Sequence, residues 1–176
     1  MRNLGIASYI SFWVFTLISM ITNRDWYRIS QHTLSKLGRP GLAHNPWLFS
    51  IGGLAVSGAM MLIYGINICR RCGKKWVCYG GALITLSGAF MILLGPLYDG
   101  KPAHDFIALC VFYLVYVGSL VVTFEFGKKE KLFGFVVLVA AIAGNMLTIW
   151  SALIYLEIYG LFLILLDLIM LRKITQ

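Results

Sequence analysis

The sequence predicts an all-α, polytopic membrane protein: a bundle of six transmembrane helices in a single domain covering residues 1–176. Composition is the first reason, because 60% of the residues are hydrophobic and 12% are charged, whereas soluble domains carry about 25% charged residues. The mean hydropathy of +0.83 agrees with this. The second reason is patterning, since the charges gather in clusters that separate apolar runs of about twenty residues, the length that crosses a hydrocarbon core. The short alternating segments of a transmembrane barrel do not occur in the sequence.

The apolar runs place the helices in order along the chain. Asn45 and Pro46 suit the cap and first position of the second helix, and Gly95-Pro96 stops the third. The final apolar stretch, residues 132–171, is too long for one crossing, so it predicts a hairpin with its turn near Trp150. The expected helices cover about residues 5–22, 47–68, 77–94, 103–126, 132–149 and 153–171.

Lysine and arginine are distributed unequally between the two ends of these helices, with ten at one end and five at the other. Cytoplasmic loops carry the excess of such residues, so both termini are expected in the cytoplasm of a multi-pass cell-membrane protein. The ten are Arg2, Arg70, Arg71, Lys74, Lys75, Lys128, Lys129, Lys131, Arg172 and Lys173, and the five are Arg24, Arg28, Lys36, Arg39 and Lys101. Because the net charge of +8 is spread over helix ends rather than one patch, nucleic acid is not an expected partner.

The first outer loop, residues 23–46, is long for a connection within a bundle. Its start, Asn23-Arg24-Asp25, is expected to end the first helix in polar solvent. Apolar residues then recur at helical spacing, which predicts a short amphipathic helix lying in the membrane interface as a lid over the bundle. The apolar positions are Trp26, Ile29, Thr33, Leu34 and Leu37, and Gly38-Arg39-Pro40-Gly41 follows them.

The predicted topology brings all three histidines and several acids to the outer face, especially to the loop Gly95–Asp105 that joins the third and fourth helices. Three imidazoles match a zinc site with an open position for water, and bound zinc would make hydroxide available for hydrolysis. Structural roles for the same scattered residues are the alternative. The candidate metal ligands are His32, His44 and His104; the candidate catalytic residues are His104, Ser35, Asp99, Asp105 and Glu157; and the candidate ligand-binding residues are Arg39, Asn145 and Glu157.

Acidic residues within the expected helices need either a partner or a function. Glu157 lies near the outer end of the sixth helix, where pairing with His104 or Arg39 and a proton- or ligand-binding role are both open. Asp167 lies nearer the inner end, where Arg172 and Lys173 are expected to compensate its charge.

Two further patterns concern packing and the four cysteines. Gly81 and Gly88 belong to a row of small residues that predicts close approach of the third helix to a neighbour. Cys69-Arg-Arg-Cys72 has the spacing of a redox or half-zinc motif, but its cytoplasmic placement favours reduced cysteines at a helix end.

Several short motifs, spread over most of the chain, resemble a prokaryotic membrane family, the domain of unknown function 998. They are Ser35-Lys36-Leu37-Gly38, Asn45-Pro46 with Phe49, a Gly-rich helix, Leu94-Gly95-Pro96, His104 with Ala108 and Phe112, and the acidic position at Glu157. The family is similar to the eukaryotic DRAM and FGF-receptor-activating-protein group, whose members are associated with lipid organisation and autophagy. The resemblance implies six helices and an outer-face motif carried by Ser35, Leu37, Gly38 and His104, but it implies no reaction.

Membrane zinc hydrolases of the ceramidase and adiponectin-receptor superfamily also combine Ser, Asp and three His, yet they have seven spans and histidines within helices.

Three functions remain open from the sequence. The first is a lipid-interacting membrane protein, without catalysis, whose polar outer pocket binds membrane lipids; Arg24, Arg28 and Arg39 would meet anionic head groups. The second is a membrane hydrolase for a lipid-like substrate, zinc-dependent or with His104 as base and Ser35 as nucleophile. The third is a small transporter that uses Glu157, Asn145 and His104 as relay groups. The oligomeric state, and whether the protein is an enzyme, stay undetermined.

Overall fold

A computed structural model describes the backbone of residues 3–148 and 153–174, and their side chains except those of residues 71–72, 102, 145–148, 153–156 and 174. All regular structure in these ranges is helical, which confirms the all-α prediction of six helices. The elements are α1 (Leu4–Thr22), a 3-10 helix (Leu34–Gly38), a π-helical segment (Leu48–Val56) that runs directly into α2 (Ser57–Cys72), α3 (Lys75–Leu94), α4 (Pro102–Thr123), α5 (Lys128–Thr148) and α6 (Leu153–Ile174).

Four helices of the described chain are long and apolar enough to cross a membrane. They are Leu4–Thr22, Leu48–Arg70, Lys75–Leu94 and Ala103–Thr123. The number of six crossings and their direction stay predictions, and the turn expected near Trp150 lies outside the described residues.

Each helix also turns a large apolar side chain away from the bundle. These side chains are between 43% and 56% exposed: Ile10, Ile63, Leu86, Leu109, Phe135 and Phe162. A soluble monomer rarely exposes apolar surface on every side, so this exterior is typical of a protein that is surrounded by lipid.

Glycines let α2, α3 and α4 pack backbone to backbone. A Cβ placed on Gly81 of α3 would stand 2.8 Å from the carbonyl oxygen of Gly65 of α2, and one on Gly58 would stand 2.8 Å from that of Gly88. On the other side of α3, a Cβ on Gly118 of α4 would stand 2.9 Å from the carbonyl oxygen of Gly80. The predicted close approach along Gly81 and Gly88 is therefore present, with α2 as the neighbour.

The start of the second long helix is π-helical rather than α-helical, which the sequence pattern did not indicate. Gly52 lies within this segment, where its missing side chain leaves room for the ring of Phe15 of α1. The Ser50 hydroxyl donates to the Pro46 carbonyl at 3.0 Å and satisfies one of the carbonyls at the helix start. The wider helix turns Phe49 and Leu54 inward, where both are buried.

The first connecting segment corrects two expectations. In place of an amphipathic interfacial helix, residues 23–33 form turns, and the only helix is the 3-10 stretch, whose Leu34 and Leu37 are 3% and 0% exposed. These leucines pack into the bundle, because hydrogen bonds to Asn23 keep the segment against the ends of the helices. Asn23 itself, expected in solvent, is fully buried: its Oδ1 accepts from the Trp26 indole at 3.0 Å and from the His44 backbone N–H at 2.8 Å.

A disulfide joins Cys69 near the end of α2 to Cys78 near the start of α3. The expectation of a reduced Cys69, and its pairing with Cys72 as a motif, are therefore wrong. Residues 69 and 78 face each other because α2 and α3 run antiparallel across a short turn. The Cys72 side chain lies outside the described ones. We call this end of the bundle the cysteine end, and the opposite end, with His32, His44 and His104, the histidine end.

Asp167 of α6 is fully buried, and neither of its carboxylate oxygens has a hydrogen-bond partner. Ser119 of α4, which is buried as well, lies close to it. The expected compensation by Arg172 is wrong: no hydrogen bond reaches the Asp167 carboxylate, and the Arg172 Nε is itself buried and unpartnered. The two residues are five positions apart on one helix, so their side chains leave α6 on different faces.

Candidate functional site

A cavity of about 90 Å³ opens among α1, the π-helical segment and α2, α3, α4 and α6. Helix α4 lines it from the histidine end to mid-bundle with His104, Ala108, Val111 and Val115, which lie on one face at helical spacing. At 1.5 Å per residue, the eleven residues from His104 to Val115 correspond to about 16 Å of depth. The cavity is therefore narrow and reaches from one end of the bundle into its middle.

The polar end of the cavity is organised by the Glu157 carboxylate of α6. Its Oε2 accepts the backbone N–H of Leu34 at 2.6 Å, and its Oε1 accepts the Ser35 hydroxyl at 2.9 Å. The Leu34 N–H is free to donate because it belongs to the first turn of a helix, where no intrahelical acceptor exists. Glu157 thus fastens the first connecting segment onto α6 and stands at the cavity wall.

His104 completes the polar end. It belongs to the first turn of α4, is 4% exposed, and its Nδ1 forms a hydrogen bond with the Leu97 carbonyl oxygen. A carbonyl only accepts, so Nδ1 carries a proton. The loop between α3 and α4 thereby fixes the orientation of the imidazole ring.

The rest of the cavity wall is apolar. Phe12, Leu54, Met91 and Leu161 are typical lining residues from four different elements. The two serines deeper in the wall do not offer their protons to the cavity, because the Ser8 hydroxyl donates to the Ser57 carbonyl and the Ser87 hydroxyl to the Val111 carbonyl, each at 2.7 Å. The cavity therefore has its charged group at one end and a mainly apolar lining along its length.

A comparison with family models decides the family. The model for a protein family of unknown function, DUF998, matches residues 6–171, nearly the whole chain. The chain belongs to the DUF998 family. The resemblance predicted from short motifs is confirmed at this level. No curated protein and no solved structure matches the chain.

Of the candidate catalytic residues in this DUF998 chain, the structure brings three to the cavity: Ser35, His104 and Glu157. Asp105 is exposed, and Asp99 does not line the cavity, although its charge acts on Glu157. The expected pair of Glu157 with Arg39 is absent; the Arg39 side chain is exposed and extends toward Gly100 of the α3–α4 loop. The side chain of the ligand-binding candidate Asn145 lies outside the described residues.

The three histidines do not converge. His44 is exposed and hydrogen bonds to the Asp25 carboxylate at 2.9 Å, which lowers the pKa of Asp25. The His32 ring packs against the rings of Trp26 and Tyr27, with centroids 5.6 and 6.0 Å away. Among the residues that the structure describes, no three His, Cys, Asp or Glu side chains are grouped so that they could hold a metal ion. The expected zinc ligands therefore do not fit a zinc site, and no step of the chemistry is assigned to zinc.

Two contributors to the site were not among the sequence candidates. The first is the Leu34 backbone N–H, which no side-chain pattern reveals. The second is Tyr27, which does not line the cavity but is 5% exposed and donates its hydroxyl to the His32 carbonyl at 3.2 Å. Burial raises the pKa of Tyr27, and the nearby Glu157 carboxylate raises it further.

Proposed function

We propose that this DUF998 protein crosses the cell membrane six times, with both termini in the cytoplasm, and binds a lipid-like amphiphile in the cavity at its outer, histidine end. The lysine and arginine distribution is the basis for this orientation, which puts the Cys69–Cys78 disulfide on the cytoplasmic side, where disulfides are rare. The apolar exterior of all six helices supports immersion in lipid. On this reading the whole chain is one transmembrane domain, and membrane lipids are its partners.

The observation that carries the proposal is the polarity gradient of the cavity. Glu157, Ser35 and His104 stand at one end, and the lining over the roughly 16 Å of depth that begins at His104 is otherwise mainly apolar, with Ser8, Tyr9 and Ser87 as its polar members. Ligand sites combine an apolar lining with a few placed polar groups that fix orientation. A molecule that matches this one has a polar head and an apolar chain, which is the general form of a membrane lipid.

The surroundings of the cavity mouth agree with this function. Arg24, Arg28 and Arg39 belong to the first connecting segment at the same end and are suited to the phosphates of a bilayer surface. The resemblance to the DRAM and FGF-receptor-activating-protein group, with its association with lipid organisation, points in the same direction.

A cavity-filling variant tests the proposal. Ala108 lies on the cavity wall, whereas the next residue, Leu109, is 43% exposed on the outside of the same helix. We expect wild-type protein, purified mildly and examined by native mass spectrometry, to retain lipid. We expect Ala108→Trp to lose that lipid and Leu109→Trp to keep it. Thermal melting verifies that each variant is folded, and Ala108→Leu replaces Ala108→Trp if the larger side chain prevents folding. Equal lipid retention in the two tryptophan variants contradicts the proposal.

The contact between Ser35 and Glu157 supports a second candidate function, hydrolysis of a lipid-like ester or amide. A hydroxyl 2.9 Å from a carboxylate has the arrangement of a nucleophile beside a base. Glu157 would accept the Ser35 proton as the hydroxyl attacks the acyl carbon, and would pass it to the alcohol or amine that leaves as the ester or amide bond breaks. Water, deprotonated by Glu157, would then attack the acyl-serine and release the fatty acid while the proton returns to Ser35. His104 would hydrogen bond to the substrate. Release of fatty acid from fluorogenic acyl esters in proteoliposomes, abolished by Ser35→Ala and partly restored in Ser35→Thr, is the expected result. No release above that of Ser35→Ala excludes this candidate.

A further inference from the structure

We infer that the head group recognised at the polar end of the cavity is a primary ammonium, carried by a single unbranched chain. The inference rests on the proposed function and specifies its ligand. Three observations support it: the hydrogen-bonding groups at the polar end, the charge of Glu157 and the volume of the cavity.

The polar end offers hydrogen-bond acceptors to a ligand. The single hydroxyl proton of Ser35 goes to Glu157, and the Nδ1 proton of His104 goes to the Leu97 carbonyl. Each carboxylate oxygen of Glu157 has accepted one hydrogen bond and retains a further lone pair. An amine or hydroxyl head group would therefore find acceptors on Glu157, whereas the charge of this carboxylate would repel a carboxylate or phosphate.

The charge of the site distinguishes an ammonium from a hydroxyl. Both recorded partners of the Glu157 carboxylate are neutral, a backbone N–H and a hydroxyl. Within the described part of the chain the one ion pair is that of His44 with Asp25, so no lysine or arginine lies within ion-pair distance of Glu157, and the basic side chain near it is that of His104. A carboxylate in low-dielectric surroundings gains most from a cationic partner that also donates hydrogen bonds. A ligand ammonium supplies the positive charge and three donors, for which Glu157 and the Ser35 oxygen are acceptors.

The volume of the cavity restricts the ligand to one chain. An apolar cavity of about 150 Å³ in an engineered protein binds one benzene, and this cavity measures about 90 Å³. By this measure it holds only the first few carbons of one unbranched chain, with no room for a second chain alongside them. The walls for that chain are Ala108, Val111 and Val115 of α4 and the facing Leu161 and Ile164 of α6.

The experiment compares single-chain ligands that differ only in the head group. Full-length protein in a maltoside detergent is titrated with tetradecylamine, tetradecanol and tetradecanoate, and binding is measured by native mass spectrometry and by thermal shift. We expect the amine to bind about tenfold more tightly than the alcohol, because charge-assisted hydrogen bonds are roughly twice as strong as neutral ones. Tetradecanoate is expected to bind most weakly.

Lysophosphatidylethanolamine and diacyl phosphatidylethanolamine then distinguish one chain from two on the same ammonium, and the single-chain lipid is expected to bind more tightly.

Two variants separate recognition by Glu157 from general attraction of cations to an acidic surface. Glu157→Gln is expected to reduce amine binding to the level of the alcohol. Asp105→Asn removes one exposed carboxylate from the same end of the bundle and is expected to preserve the tenfold preference. If Glu157→Gln does not fold, the ammonium inference is tested by the affinity ranking of the three ligands on wild-type protein. Ala108→Trp, in which the cavity is filled, then serves as the control for binding outside the cavity.

The outcomes distinguish the inference from the function on which it rests. Equal binding of amine and alcohol, or tighter binding of tetradecanoate, overturns the ammonium inference while leaving an amphiphile-binding cavity in place. Binding of none of the single-chain ligands, or binding unaffected by Ala108→Trp, overturns the proposed function itself.

Discussion

The Ser35 hydroxyl donates a 2.9 Å hydrogen bond to the Glu157 carboxylate, although 122 positions separate the two residues in the sequence. The contact joins the short 3-10 helix to α6, and the neighbouring Leu34 N–H strengthens it with a 2.6 Å bond to the same carboxylate. The acidic residue of α6 therefore has a structural partner and also borders the cavity. The two roles lead to separate experiments.

The structural role predicts that Ser35 and Glu157 are energetically coupled. Hydrogen bonds to charged groups contribute about 1.5–3 kcal/mol, so Ser35→Ala and Glu157→Gln should each lower the free energy of unfolding. In a double-mutant cycle we expect a coupling energy of about 1–2 kcal/mol, measured by unfolding in detergent. Single effects that simply add in the double variant, to within about 0.5 kcal/mol, would show that this contact does not stabilise the fold.

The close contact of α2 with α3 predicts a strong difference between two Gly-to-Ala substitutions. A Cβ on Gly81 would stand 2.8 Å from the Gly65 carbonyl oxygen and 3.0 Å from the Cys69 nitrogen, both backbone atoms that cannot rotate away. Overpacking of this kind costs about 1–3 kcal/mol, so Gly81→Ala should lower the melting temperature. Gly53→Ala is the control, since the nearest atom there is at an ordinary 3.6 Å. Equal melting temperatures of the two variants would contradict the backbone contact.

The unpartnered Asp167 predicts a stabilising substitution. Its carboxylate is fully buried without a hydrogen bond, beside the core residue Leu168. Leaving a buried polar group unsatisfied costs about 1–3 kcal/mol, so Asp167→Leu should raise the melting temperature in detergent. Ser119→Ala, which removes a neighbouring unpartnered hydroxyl, should have a smaller effect in the same direction. A lower melting temperature for Asp167→Leu would show that the carboxyl has a partner or role that the packing does not reveal.

The pair of Asp25 with His44 predicts a pH dependence outside the bundle. The hydrogen bond from His44 lowers the pKa of Asp25 below its ordinary value of 3.8. A carboxyl whose pKa is lowered in the folded state stabilises the fold above its unfolded pKa, and that contribution is lost as the pH falls through the folded pKa. The pair is therefore intact at neutral pH and breaks only below about pH 4.

NMR titration of the Asp25 carboxyl carbon measures this directly. We expect a midpoint below 3.8 in the wild type and a return toward 3.8 in His44→Ala. His32→Ala is the control, because the His32 ring contacts Trp26 and Tyr27 instead. A midpoint that His44→Ala does not change would mean that the contact is absent in solution.

Local features of the sequence predicted the elements well, and the long-range contacts poorly. Glu157 and Ser35 were both singled out by residue type, but their partnership was not, because hydrogen bonding depends on how α6 packs against a loop far away in the chain. The three histidines were grouped by topology alone. A shared membrane face extends over tens of ångströms, whereas metal ligands lie about 2 Å from their ion, so the shared face did not establish a site.

The loop after α1 shows a different reason for failure. Its apolar residues recur at helical spacing, yet the burial of Asn23 and its hydrogen bonds to Trp26 and His44 hold the chain in turns. Tertiary hydrogen bonds outweighed a short amphipathic pattern, because a short isolated helix is marginally stable without packing.

The sequence by itself determined that this chain is a helical protein for a lipid environment, because the length and polarity of each apolar run are properties of neighbouring residues. It also determined the family, since the matching motifs are read along the chain. Only the tertiary structure decided that Cys69 pairs with Cys78, that Leu34 and Ser35 bind Glu157, and that Glu157 stands at one end of a mainly apolar cavity. Those outcomes depend on interhelical packing at the scale of single ångströms, which no local pattern encodes.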